Sequence, residues 1–143
     1  MNFTPRMIGE AENTLRALMA RYLTGTGLTY HTWVLLNATA TGGGQADRRP
    51  LTAIAVNGLK IDEAAVDAAF ATLADSGLVT VTADHIRLTD AGSRLHQRVN
   101  ATMGPTSAGL LRDLPDDDLA AAARVLTTIT ARANGILAAG VDG

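Results

Sequence analysis

The segment PDDDLAAAARVLTTITARANGIL, residues 115–137, constrains this chain more than any other stretch. Leu119, Ala122, Leu126, Ile129, Ala133 and Ile136 recur at alternating spacings of three and four, which is the seam of a coiled-coil-like helix. Asp116, Asp117 and Asp118 fall in its first turn, where the helix dipole favours anions. The chain opens with a second helical stripe, Ile8, Ala11, Leu15, Leu18, Met19, Tyr22 and Leu23. A chain of 143 residues makes one domain, or a small domain with an arm. A small domain does not easily cover a long helix at each end. The reading is that the first and last helices pack together and against a second copy, a homodimer. Ile8, Leu15, Leu119, Leu126, Ile129 and Ile136 are the expected contacts.

Composition points the same way. Only 3% of residues are aromatic while Ala is abundant, which favours packed helices over a β-sandwich. The absence of cysteine removes disulfides, thiolate metal sites and Cys nucleophiles. No apolar run is long enough to span a bilayer, and MNFTPRMIGEAEN lacks the apolar core of a signal peptide. A cytoplasmic protein with no membrane partner is expected.

Between the two stripes, Thr29 caps a second helix to about residue 41, burying Trp33, Leu36 and Leu35. Residues 41–50, TGGGQADRRP, read as loop. A short third helix over 51–57 follows, with Gly58 as C-cap. Asp62 caps a fourth helix that buries Val66, Phe70 and Leu73 and stops at Gly77. Two β-like runs, 78–82 and 85–88, are joined at Ala83-Asp84 as a hairpin. Thr89-Asp90 opens a fifth helix carrying Leu95, Val99 and Met103. Gly104-Pro105 should break or kink it, with resumption over 110–114. The fold class is mainly α with a small β-hairpin wing. Helices three and four plus the hairpin form a winged helix-turn-helix over residues 29–92. Residues 1–28 and 93–143 form a helical dimerisation arm.

In this order the chain resembles the MarR family of bacterial transcription regulators. The matching pieces are GLTYHTW at 27–33, Ile54-Ala55, Val66, Leu73, Gly77-Leu78-Val79, Leu88-Thr89-Asp90-Ala91-Gly92, and Leu114 before the acidic helix start. No single piece is specific; the ordered set is. The resemblance implies a homodimeric regulator whose fourth helices enter successive major grooves of double-stranded DNA and whose wings reach the minor groove. It also implies a small-molecule cleft among the first, second and fifth helices. Met19, Tyr22, Tyr30, His31, Trp33 and His96 are the candidates there, and aromatic walls beside a His or Arg suit a small aromatic or lipophilic acid. For Trp33 the plain core reading is the stronger one; Tyr30 and His31 read equally as pocket or solvent residues.

Charge complicates the nucleic-acid reading. The net charge is −2, where an isolated DNA-binding domain is typically basic. Residues 62–91 carry Asp62, Glu63, Asp67, Asp75, Asp84 and Asp90 against Arg87 alone. Phosphate contacts from cations dominate DNA affinity. The residues placed toward a duplex are Arg48, Arg49, Thr52, Lys60, Ala64, Ala68, His85 and Arg87. Alanines can meet a thymine methyl. The hairpin tip is just Ala83-Asp84, shorter than the family's wing and without its Asp-x-Arg motif. Arg87 either touches a phosphate or pairs with Asp84. The residues thus imply weak, strongly salt-dependent duplex binding, carried by the loop arginines more than by the helix.

Other constellations are bland. His31, His85 and His96 have no compact metal spacing, GTGLT and TGGGQ match no phosphate-binding motif, and no Ser nucleophile motif is present. No metal, no cofactor and no enzymatic activity are expected. Two functions stand: a ligand-responsive regulator, or a degenerate winged-helix dimer that does not bind DNA by itself and serves as a ligand-binding or protein-interaction module.

Overall fold

The computed structural model describes residues 1–140; the last three residues of the expected C-terminal arm lie outside it. The elements run α1 (Pro5–Tyr22), α2 (Tyr30–Thr41), β1 (Gln45–Asp47), α3 (Arg48–Leu59), α4 (Glu63–Asp75), β2 (Val79–Val81), β3 (His85–Leu88), α5 (Asp90–Leu110) and α6 (Asp116–Ala139). The side-chain caps are where the sequence puts them. Thr29 accepts from the Thr32 amide while the Thr32 hydroxyl accepts from the Thr29 amide, a reciprocal capping box. Asp62 accepts from the Ala65 amide at 2.8 Å and starts α4.

Three local expectations are corrected. Residues 41–50 are not all loop. Gly43 and Gly44 take positive φ, 91° and 84°, and turn the chain so that β1 runs antiparallel beside β3. Gln45, Ala46 and Asp47 pair with Arg87, Ile86 and His85. The hairpin is therefore a three-stranded sheet of order β1-β3-β2. Nothing in Gln-Ala-Asp favours a strand; the free edge of β3, distant in sequence, supplies the hydrogen bonds.

The third helix is longer than expected, because Pro50 sits in its first turn, where a missing N–H costs nothing. Gly58 lies inside it, and the left-handed C-cap is Lys60, φ 56°. Of the break or kink expected at Gly104-Pro105, the break is absent: the fifth helix runs on to Leu110, and Pro105 withdraws one N–H from its ladder. Leu111 to Leu114 is a turn with Asp113 at φ 64°, not resumed helix.

The chain divides into two compact units, Met1–Pro105 and Thr106–Gly143. The core belongs to the first. Val66, Phe70 and Leu73 of α4 are essentially fully buried, as their spacing requires. They pack with Trp33, Leu35 and Leu36 of α2, Leu51 and Ala55 of α3, Ile86 of β3, and Leu95 and Val99 of α5. Each large side chain so buried contributes about 1.5–3 kcal/mol. In the second unit, α6 has no buried residue. No helix of the described residues is long and apolar enough to cross a membrane.

Candidate functional site

Helix α4 turns its inner face to the core, and this fixes what it presents outward. Glu63, Ala64, Ala68, Ala71, Thr72 and Asp75 are exposed; Asp67 is half-buried. Ala64 and Ala68, four apart, share one helical face. In β3 the two-residue alternation buries Ile86 and sends His85 and Arg87 to the outer face of the sheet. Across the sheet, Arg87 stands opposite Gln45 and Thr80. An open depression of about 370 Å³ on this side is lined by Gly42, Gln45, Ala46, Asp47, His85 and Arg87.

The eight residues expected toward a duplex do not share one fate. Thr52 is 8% exposed on the inner side of α3 and leaves the candidate set, since a buried hydroxyl cannot reach a groove. Arg48 is half-buried and engaged: Nη1 donates to the Thr82 carbonyl at 3.0 Å, and Nη2 lies 3.5 Å from Asp67 Oδ1. His85 Nδ1 is 3.3 Å from Asp47 Oδ1. Lys60 Nζ donates to Asn57 Oδ1 at 3.2 Å. Arg49 and Arg87 are exposed and make no ion pair among the described residues. Of the two readings of Arg87, the pairing with Asp84 is therefore absent. The Asp84 carbonyl instead accepts from the Arg48 amide at 2.8 Å. Asp67 is the residue that sequence reasoning missed as a partner. It lies nineteen positions from Arg48, beyond any local spacing signal.

The cleft candidates fall into two ring contacts. His96 of α5 stacks on Trp33 of α2, centroids 5.4 Å apart and planes 18° apart. Trp33 is 4% exposed, so its core reading is the correct one. Burial lowers the His96 imidazole below its ordinary value. Its Nε2 lies 2.8 Å from Asn37 Oδ1 and 3.1 Å from Asn100 Nδ2. One ring nitrogen cannot donate to the first and accept from the second, so the tautomer selects one of the two asparagines. Tyr30 and His31 form the other contact, centroids 5.9 Å apart, with the Arg16 guanidinium 4.3 Å over the Tyr30 ring. Met19 packs on the edge of the core and Tyr22 is half-buried. Asn37, Asn100 and Arg16 carry no motif and were invisible in the sequence.

The expected dimer contacts are on α1 and α6. Leu15 is 51% exposed and Ile8 half-buried on α1. On α6, Leu126 and Ile136 are exposed, while Leu119 and Ile129 are half-buried.

No protein-family model matches the sequence, and comparison with curated proteins finds no match. Solved structures do match. NadR in complex with 4-hydroxyphenylacetate aligns with a TM-score of 0.70 at 16% identity, over 90% of this chain and 96% of NadR. CouR from Rhodococcus jostii RHA1, bound to p-coumaroyl-CoA, aligns with a TM-score of 0.70 at 17% identity, over 87% and 88%. The reduced form of MarR from E. coli aligns with a TM-score of 0.65 at 17% identity, over 90% and 94%. A further match is described as a MarR-family transcriptional regulator; none of these is described as an enzyme. With its helix-turn-helix α3–α4, its wing β2–β3 and its flanking helices in that order, the chain has the MarR-type winged-helix fold.

Proposed function

We propose that the chain is a homodimeric, MarR-like transcription regulator that binds duplex DNA and responds to a small aromatic or lipophilic acid. The observation that carries this reading is α4: in a MarR-type fold it offers a row of exposed alanines, Ala64, Ala68 and Ala71, above a fully buried apolar face. Such a row fits closely against base edges and thymine methyls. Arg49 and Arg87 supply cations for phosphate, with Lys60 at the end of α3, and His85 on the wing adds a hydrogen-bonding ring. Residues 29–92 act as the DNA head, and residues 1–28 and 93–143 as the arm. A second copy covers the apolar residues exposed on α1 and on α6. The ligand enters beside Tyr30 and His31, with Met19, Tyr22 and His96 as further lining and buried Trp33 as the core support on which His96 stacks. That two structures of this fold hold 4-hydroxyphenylacetate and p-coumaroyl-CoA supports an aromatic ligand here. Binding in one head spacing better than another shifts the population between DNA-competent and incompetent forms.

A second reading has its own support. The outer edge of α4 bears Glu63 and Asp75, and two basic groups of the head, Arg48 and His85, are already engaged by Asp67 and Asp47. These features favour a winged-helix dimer that does not bind DNA by itself and serves as a ligand-binding or protein-interaction module. Fluorescence anisotropy with a pool of random duplexes, followed by selection and sequencing, separates the two. A regulator enriches a palindrome, and Arg49→Ala weakens binding across all sequences. Removing one cation that neutralises a phosphate lowers the slope of log K against log salt by about 0.9. No binding at low salt would leave the module reading.

A further inference from the structure

Arg48 opens α3 and touches two other elements. Its amide donates to the Asp84 carbonyl at 2.8 Å and its Nη1 to the Thr82 carbonyl at 3.0 Å, both in the turn between β2 and β3. Its Nη2 lies 3.5 Å from Asp67 Oδ1 on α4. We infer that Arg48 is a positioning residue that straps the wing turn to α4, with Asp67 as its counter-ion, and that it is not a phosphate contact.

The chemistry of the side chain supports this assignment. A guanidinium carries its donors on separate nitrogens in a rigid planar fork. Here the two terminal nitrogens serve two acceptors on different elements, one a backbone carbonyl and one a carboxylate. Occupied in this way, Arg48 has both terminal nitrogens committed to partners within the chain. Its side chain is 31% exposed, while the neighbouring Arg49 is exposed and makes no ion pair among the described residues. The adjacent arginines therefore divide the work: Arg49 faces outward and Arg48 ties the head together. Asp67, one position before the outward Ala68, spends one carboxylate oxygen on Arg48 while its side chain stays 43% exposed. The consequence for DNA rests on the function proposed above; the strap itself does not.

Four variants test it: Arg48→Lys, Arg48→Ala, Asp67→Asn and Arg49→Ala. Lysine keeps the charge but, as a single flexible point charge, does not bridge both acceptors. Amide hydrogen exchange at Thr82 and His85 should speed up several-fold in Arg48→Lys and Asp67→Asn and stay unchanged in Arg49→Ala. With the enriched duplex, Arg48→Lys and Asp67→Asn should keep the salt slope and lose discrimination between matched and mismatched sites. Arg49→Ala should do the reverse, lowering the slope by about 1.8 per dimer, two phosphates at about 0.9 each. Unchanged exchange at the wing turn in both Arg48→Lys and Asp67→Asn overturns the strap. So does an Arg48→Lys variant that binds and discriminates like the wild type while Arg48→Ala lowers the slope as much as Arg49→Ala. If the wild type binds no duplex, the DNA reading fails by itself and the exchange result alone decides the strap.

Discussion

His96 shows how one residue couples burial to solution conditions. Its imidazole stacks on buried Trp33, and burial holds its pKa below the ordinary 6.5. The neutral form is thus favoured in the folded chain, and on acidification the unfolded chain takes up the proton first. Stability from neutral His96 is fully present above pH 6.5 and is lost as the pH falls below it. The loss levels off once the folded form also protonates. Urea unfolding at pH 7.5 and 5.5 should show a fall in stability that is smaller in His96→Gln. One group contributes at most about 1.4 kcal/mol per pH unit. Equal pH dependence in the two proteins would show that His96 is not the group responsible. The sequence identified His96 as a candidate but gave no sign of Asn37 or Asn100, which reach it from positions 59 and 4 residues away.

At the scale of elements, the seating of α5 on the wing turns on Gly92. A Cβ at this position would overlap the Leu78 carbonyl oxygen and crowd Leu88 Cδ2 at 3.2 Å. Leu78 precedes β2 and Leu88 ends β3, and the Leu78 carbonyl also accepts from the Thr89 amide at 3.1 Å. Gly92→Ala should therefore destabilise by about 1–3 kcal/mol, as overpacking against backbone does, even though alanine is the better helix former. Gly58, inside α3, has nothing within 4 Å of the equivalent position. Gly58→Ala should stabilise, by up to about 1 kcal/mol. Chemical denaturation of both variants checks the opposite signs; a stabilising Gly92→Ala would mean that α5 can shift away from the wing at little cost. The element order was legible because caps and apolar periods are local. Strand β1 was not, because its pairing depends on β3, some forty residues further along the chain.

For the whole molecule, the deciding feature is apolar surface that the single chain leaves uncovered. Helix α6 spans 24 residues with none buried. Leu126, Ile136 and Leu137 are exposed along it, and Leu15 is exposed on α1. If a second copy covers this surface, Leu126→Asp or Ile136→Asp should weaken association by about 2 kcal/mol or more, as loss of a central interface residue does. Sedimentation velocity across micromolar concentrations reads the shift from dimer to monomer; a wild-type monomer throughout would refute the homodimer. By itself the sequence determined the mainly helical class, the winged helix-turn-helix order, the caps at Thr29 and Asp62, and the buried triplet Val66, Phe70 and Leu73. These follow from hydrogen bonds and apolar spacings within a few residues of each other. Only the tertiary structure decided the third strand, the burial of Thr52, the stacking of His96 on Trp33, and the different surroundings of the adjacent Arg48 and Arg49. Each of these depends on which distant element the chain brings alongside, and a side chain's charge and size do not encode that neighbour.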